Sequence, residues 1–249
     1  MKINLKNKIA VVTGAGGGVG SVLVQELEKE GVTCILIDKR MDLLKQFVQS
    51  PNENNHCFEC DFTKEVEVTE LVKKLNSKFD TIDFLYNIAG IGIYKSTEDL
   101  STVEWKDSLA INLTTPFILI KGLLPLLRKS DTPFIMNFGS GMGRIPTAER
   151  AAYCTSKFGL RGLSLSLTKE FKKETIDISL LTLGSCMTNF GTGGVEFRKE
   201  QEKMGKKYLT PEEVVKKVME ITTSAKKEAE YILYPDGYTS HSVVYEKFI

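Results

Sequence analysis

Ile9-Ala10-Val11-Val12-Thr13-Gly14-Ala15-Gly16-Gly17-Gly18-Val19-Gly20 is the stretch that decides the fold. An apolar run of strand type enters a glycine cluster. It leaves as an amphipathic segment, Ser21 to Glu30, with Val22, Leu23 and Leu27 on one side. Glycines at 14, 18 and 20 let the backbone turn sharply, so that a pyrophosphate can lie against the N-terminus of the following helix. The spacing is Gly-x-x-x-Gly-x-Gly, not Gly-x-Gly-x-x-Gly, and alone a glycine-rich turn is a weak signal. The next strand, Thr33-Cys-Ile-Leu-Ile-Asp38, strengthens it. Asp38 closes that strand 18 residues after Gly20, where an acid would grip the hydroxyls of an adenosine ribose.

From there strand and helix alternate. Apolar strand candidates fall at 8–13, 33–37, 56–60, 82–87, 133–139, 176–183 and 230–234. Helical candidates lie between them at 19–30, 41–49, 64–78, 102–127, 151–173 and 211–224. This order implies right-handed crossovers and a parallel sheet covered on both faces. Ligands then bind beyond the carboxyl ends of the strands, and Asp38, Asp61, Asn87 and Ser140 all fall at such ends. No linker, repeat or low-complexity segment divides residues 1–249, so a single domain is expected.

Composition narrows the function classes. The chain has 249 residues, 42% hydrophobic and 26% charged, which suits one soluble domain with a sizeable core. A net charge of +1 gives no electrostatic footprint for nucleic acid or an anionic membrane. The N-terminus has no apolar stretch of signal-peptide type and no run approaches the length of a membrane span, so a cytoplasmic protein is expected. Five scattered cysteines argue against a disulfide framework. Cys57 and Cys60 sit three apart in a strand-like run, about 10 Å between alpha carbons, too far for a bridge. No second Cys pair or His cluster completes a metal site, so no metal is expected.

A second stretch carries chemistry: Ser140-Gly-Met-Gly-Arg144-Ile-Pro-Thr-Ala-Glu-Arg150-Ala-Ala-Tyr153-Cys-Thr-Ser-Lys157. Tyr153 and Lys157 are four apart, on one face of a helix. Ser140 follows the strand-like Phe134-Ile-Met-Asn-Phe138 and sits at its end. A hydroxyl facing a Tyr/Lys pair is what proton transfer to an alcohol or ketone requires. Moving a phenol from about 10 to about 7 costs roughly 4 kcal/mol. One unit charge at about 4 Å supplies that at the effective dielectric of a partly buried site. Ser101–Glu104, upstream, and Thr210–Glu213, downstream, read as capping boxes. Pro116 cannot donate to the carbonyl of Asn112 and crowds it, so a kink is expected there, with the freed carbonyl available to a water.

With these motifs the chain resembles the short-chain dehydrogenase/reductase family over nearly its whole length. Thr13-Gly14-Ala-Gly-Gly17-Gly18-Val19-Gly20 is similar to that family's cofactor loop, Asp61-Phe62 to its adenine-contacting pair, and Asn87-Ile88-Ala89-Gly90 to its Asn-Asn-Ala-Gly. Asn112, Ser140, Tyr153 and Lys157 match its catalytic tetrad in type and spacing. The resemblance implies a Rossmann-like, doubly wound α/β domain with about seven parallel strands. It implies an NAD(P)-dependent oxidoreductase that interconverts a secondary alcohol and a ketone by hydride transfer. In that scheme Tyr153 is the acid/base and Ser140 holds the substrate oxygen. Lys157 lowers the tyrosine pKa and binds the nicotinamide ribose, while Asn112 anchors a relay water. Thr188, after Gly184, is placed to meet the nicotinamide carboxamide. The family also implies pairing of the helix beginning near Ala151 across a two-fold axis, in a homodimer or homotetramer.

Departures bear on particular points. Ile88 replaces the second Asn of the family's motif, and Leu183-Gly184 stands where Pro-Gly is common. Tyr231 to Gly237 lacks the usual glycine-rich ending, which bears on tetramer contacts. NAD is expected over NADP, because Asp38 would repel a ribose 2'-phosphate and Gly17 leaves the loop without a basic residue; Lys39 and Arg40 pull the other way. Residues 184–209 read as a mobile substrate lid. Arg144 and Arg150 border the cleft, where an arginine binds a carboxylate or is simply solvated. The partner is a small alcohol or ketone, with no nucleic acid and no membrane. Two alternatives stand beside this: an acyl-carrier-linked 3-ketoacyl reductase, and a non-catalytic dinucleotide-binding sensor or scaffold.

Overall fold

The computed structural model describes residues 2–48 and 55–236. Gln49, at the end of the second expected helix, and Gly237 lie outside them. The elements run β1 Ile9–Thr13, α1 Gly18–Lys29, β2 Thr33–Asp38, α2 Met41–Val48, β3 His56–Glu59, α3 Glu65–Lys78 and β4 Phe84–Asn87. They continue with α4 Thr102–Leu109, α5 Thr115–Leu127, β5 Phe134–Ser140, α6 Ala151–Glu170, β6 Asp177–Leu183, α7 Gly194–Lys203, α8 Pro211–Thr223 and β7 Glu230–Leu233.

The seven strands form one parallel sheet in the order β3-β2-β1-β4-β5-β6-β7. The order reverses between β1 and β4, which leaves a crevice at their carboxyl ends. Strand side chains alternate between two cores, as a sheet buried on both faces requires. Val12, Leu36, Tyr86 and Met136 pack with Leu23 and Leu27 of α1 and Val214 and Val218 of α8. Val11, Ile35, Leu85 and Ile135 pack with Leu71 and Leu75 of α3 and Leu119 and Leu123 of α5. Register sets Thr13, Asn87 and Asn137 side by side across β1, β4 and β5.

The structure adds detail to these expectations. At Asn112 and Pro116, α4 and α5 are joined by a π turn, Ala110–Thr114, in which the Thr115 amide donates to the Ala110 carbonyl. The wider turn accommodates the donor that the proline lacks. The span 184–209 contains α7, a helix that sequence reading did not place; it buries none of its residues and so has no apolar stripe to announce it. Finally, Thr102–Leu127 is by length and composition apolar enough to cross a membrane. Here it is a core helix on one edge, with Leu119, Ile120, Leu123 and Leu127 buried, while Phe117 remains 44% exposed. Both capping boxes are present.

Candidate active site

The floor of the crevice begins with Thr13. Its hydroxyl donates to the Tyr86 carbonyl and accepts from the amides of Ile88 and Ala89, binding the end of β1 to the loop after β4. Gly14 takes φ +66, and a Cβ there would stand 3.0 Å from the Ala89 Cα. A Cβ on Gly20 would fall 2.2 Å from the Gly14 carbonyl oxygen, so the turn into α1 tolerates no side chain. The Gly17 amide closes the turn onto Gly14, while Val19 packs on the first core. Gly18 lies beneath Thr188, whose Cγ2 is 2.8 Å from where a Cβ would be. Asp38 accepts from the amides of Gly16 and Arg40, which fixes its carboxylate at the end of β2.

Asp61, at the end of β3, pairs with Lys39 at 2.9 Å. Partial burial pushes its carboxyl up, but the bonds to Lys39 and Thr63 win and hold it at about 2. Phe62 does not face this surface: its ring is buried in the second core and its carbonyl accepts from Thr115. Gly184 is tied to the Leu233 carbonyl and packed against Tyr234 and Pro235.

The centre of the sheet carries a polar seam. Asn87 donates to Asn137, which donates to Ser164, which donates to the Leu160 carbonyl. Ile88, in place of an asparagine, packs on the first core, and the Asn87 Oδ1 is buried without a partner.

Asn112, Ser140, Tyr153 and Lys157 do come together. Asn112 clamps Ile91 by both backbone groups and donates to Ser156, so it holds the loop after β4 against α6. A Cβ on Gly90 would lie 3.1 Å from the Asn112 Oδ1 and 3.8 Å from the Lys157 Nζ, so these two groups flank one backbone position. Lys157 donates to the Phe138 carbonyl at 2.8 Å and stands 5.9 Å from the centre of the Tyr153 ring. The turn after Ser140 crosses α6 at Gly143, where a Cβ would lie 2.7 Å from the Lys157 carbonyl oxygen. The Ser140 and Tyr153 hydroxyls are hydrogen-bonded.

The electrostatics differ from the expectation of a depressed phenol. Burial pushes the Tyr153 hydroxyl above the usual phenol range and Tyr94 adds to this; the bond to Ser140 opposes it without reversing it. Burial also pulls Lys157 down to about 8. With both groups desolvated and the ammonium bonded to a carbonyl, burial sets the net direction at the tyrosine.

The roof was missed by sequence reasoning. Tyr94, in the loop after β4, packs edge-to-face on Tyr153 at 5.6 Å, and Phe190, in the loop after β6, lies 5.8 Å away. Arg150 stacks on the other ring of this pair, 4.1 Å from the centre of Tyr94. Arg198 of α7 holds the loop together through the carbonyls of Thr188, Gly194 and Phe190. At the base, Leu209 and Met187 pair, so the two ends of the segment 184–209 are pinned together. The signal available was position alone: an aromatic soon after Gly92 and another before Gly191, both past strand ends. Arg144 lies near Glu230, whose carboxyl it helps to hold low.

The model for "short chain dehydrogenase" matches residues 8–198, well over half of the chain. The chain belongs to this family. An uncharacterized oxidoreductase of Staphylococcus epidermidis is 26% identical over 193 residues, covering 78% of this chain and 84% of the relative. A 3-oxoacyl-[acyl-carrier-protein] reductase of Buchnera aphidicola is 27% identical over 242 residues, 96% and 97% of the two chains. Among solved structures, 4-hydroxyisoleucine dehydrogenase complexed with NADH superposes with a TM-score of 0.83 at 24% identity, over 93% of this chain and 98% of that one. Serine dehydrogenase complexed with NADP+ gives 0.82 at 22%, over 90% and 94%. The short-chain dehydrogenase fold is thus shared along nearly all of the chain.

The residues present suit a dinucleotide. The glycine turn leaves the first amides of α1 open to an anion, the fixed Asp38 carboxylate stands at the neighbouring strand end, and the orphaned Asn87 oxygen faces no protein donor.

Proposed function

We propose that this short-chain dehydrogenase interconverts a secondary alcohol and a ketone, with a nicotinamide dinucleotide as redox partner. The observation that carries the reading is the buried Tyr153 hydroxyl paired with the half-buried Ser140, with Lys157 one turn along the same helix as Tyr153. The dinucleotide, when bound, exchanges a hydride with the carbinol or carbonyl carbon. Gly14, Gly17, Gly18, Val19 and Gly20 would hold its phosphates, Asp38 and Asp61 its adenosine end. Asn87, Ala89, Gly90 and Thr188 would line its nicotinamide end. Tyr153 moves the proton at the substrate oxygen, Ser140 steadies that oxygen, and Asn112 holds the loop that borders them. Because burial keeps the Tyr153 proton on, the resting enzyme is ready to donate it, which favours ketone reduction at neutral pH. Oxidation needs the phenolate and should climb with pH above neutral.

NAD is the proposed cofactor over NADP. Asp38, fixed at the end of β2, would repel a 2'-phosphate, and Lys39, the nearest cation in sequence, is held by Asp61. Asp38→Ser should relax the preference; comparable kcat/KM with NADP in the unaltered protein would refute it. The 97% coverage of the Buchnera reductase favours 3-ketoacyl reduction as the second reading. Turnover of acyl-carrier thioesters over free ketones would select it. Assembly as at least a dimer is supported by Phe117 on α5 and Phe158 on α6, 44% and 42% exposed, and by open space at Gly162. A monomeric mass at micromolar concentration would remove that idea.

The deciding experiment is Tyr153→Phe, assayed by turnover beside cofactor titration. Turnover should fall by about 10²–10⁴ with cofactor affinity kept. Near-normal turnover would sink the mechanism, and a sensor or scaffold would show tight cofactor binding with no carbonyl turned over.

A further inference from the structure

Among the described residues only two buried side-chain atoms lack a hydrogen-bond partner, the Asn87 Oδ1 and the Arg150 Nε. Asn87 belongs to the polar seam at the centre of the sheet, and Arg150 to the stack on Tyr94. The first is on the cofactor side and is absorbed by the reading above. The second has no such explanation.

Arg150 precedes α6 and stands three residues before Tyr153, so both side chains meet the ring of Tyr94. One face of that ring carries the guanidinium at 4.1 Å. A guanidinium offers five donors, and this one spends a single N–H on the carbonyl of Glu149, its own neighbour in the chain. Glu149 itself takes φ +58, a left-handed conformation that costs a residue with a Cβ roughly 1 kcal/mol. Among the described residues no carboxylate lies within ion-pair distance of Arg150 or of Arg198, the other cation felt by Tyr94. Arg198 is spent on three carbonyls. The buried Arg150 Nε thus has no protein partner, and a guanidinium presents the planar fork that matches a carboxylate.

We infer that Arg150 is a specificity-determining residue, and that the substrate is a hydroxy or oxo acid whose carboxylate is received by its guanidinium, with Tyr94 as the platform that holds the arginine in plane. The inference rests on the alcohol–ketone reading for the chemistry at the carbinol carbon. The carboxylate must stand off that carbon by the width of the Tyr94 ring, so chain length should matter.

The test uses the full-length protein with cofactor and three matched pairs: 3-hydroxybutanoate, 4-hydroxypentanoate and 5-hydroxyhexanoate, each beside its primary amide. Kcat/KM should favour at least one acid over its amide by tenfold or more. Arg150→Met should cut that ratio at least tenfold, chiefly through the acid's KM, and Arg150→Lys should recover part of it. Equal kcat/KM for acid and amide at every length would overturn the inference while leaving alcohol oxidation standing. So would an acid preference untouched by Arg150→Met. Should no pair be turned over, calorimetric binding of the same compounds to the cofactor-loaded protein decides. Acid bound tenfold tighter than amide, and lost in Arg150→Met, upholds the carboxylate site while the alcohol–ketone reading falls. Equal or absent binding overturns both.

Discussion

The floor and the roof of this site are built by different means. The floor is made from strand ends and one helix: Thr13, Asn87, Ser140, Tyr153 and Lys157 occupy positions set by register and helical period, and the polar atoms among them are almost all paired. The roof is made from two loops and a helix with no buried residue, joined by ring contacts and by one arginine bonded to carbonyls. Each half leaves one buried atom unpaired, Asn87 Oδ1 below and Arg150 Nε above. On the proposed function, regular structure holds the chemistry and the loops carry what selects a substrate. If so, damage to the floor should reach the whole fold, and damage to the roof should stay local.

Asn112 is where the two halves join, and its loss should have the largest effect. Asn112→Ala strips partners from the Ile91 N–H and C=O and from the Ser156 hydroxyl. Each buried group left unpaired costs about 1–3 kcal/mol, so a loss of roughly 4 kcal/mol is expected from urea unfolding. A loss below about 1 kcal/mol would mean that water replaces the asparagine and that the seam is weaker than its bonding suggests.

Lys157→Met should move stability in the opposite direction. Burial holds the folded lysine at about 8, below its ordinary 10.5, so the unfolded chain binds more protons between those values. Wild-type stability at this residue is therefore poorest below pH 8 and recovers as pH rises toward 10.5. The Met variant lacks the penalty and should be more stable by up to roughly 3 kcal/mol at pH 7, with the advantage shrinking at alkaline pH. Its activity and cofactor affinity should fall if Lys157 has the proposed role, a stability–function trade at that position. Urea midpoints at pH 7 and 10 check the sign. A variant less stable at both would show the ammonium to be a net structural asset, through its bond to Phe138.

The same division explains what was legible in the sequence. Strand ends and the Tyr153–Lys157 spacing can be read directly, because periods of 2 and 3.6 turn position into direction. Asn112 was legible as a residue and not as a clamp, since its partner Ile91 lies in a loop whose path no period describes. The π turn was hidden because a proline's missing donor can be met by bending or by widening, and composition does not choose. The phenol's direction was misjudged because the Coulomb argument counted the lysine's charge and left out the burial of both groups. Tyr94, Phe190 and Arg150 are distant in sequence, and nothing but the folded loops brings them together.

The smallest effect, and the sharpest on the comparison, is expected from Tyr94→Leu. The ring makes an edge contact with Tyr153 and a stack with Arg150, each worth about 1 kcal/mol when closed. If the roof opens as its own unit, that energy is counted in the opening of residues 184–209 and not in global unfolding. The urea midpoint should then move by less than about 0.5 kcal/mol, while amide exchange of the Met187 and Phe197 N–H groups, which donate to Leu209 and Gly193, speeds up roughly fivefold or more. The variant keeps the floor intact, so cofactor affinity should hold. A midpoint lowered by about 2 kcal/mol, with exchange across the sheet rising in step, would mean that roof and floor unfold together. The loops would then be part of the core, and substrate entry would need a motion of the whole domain.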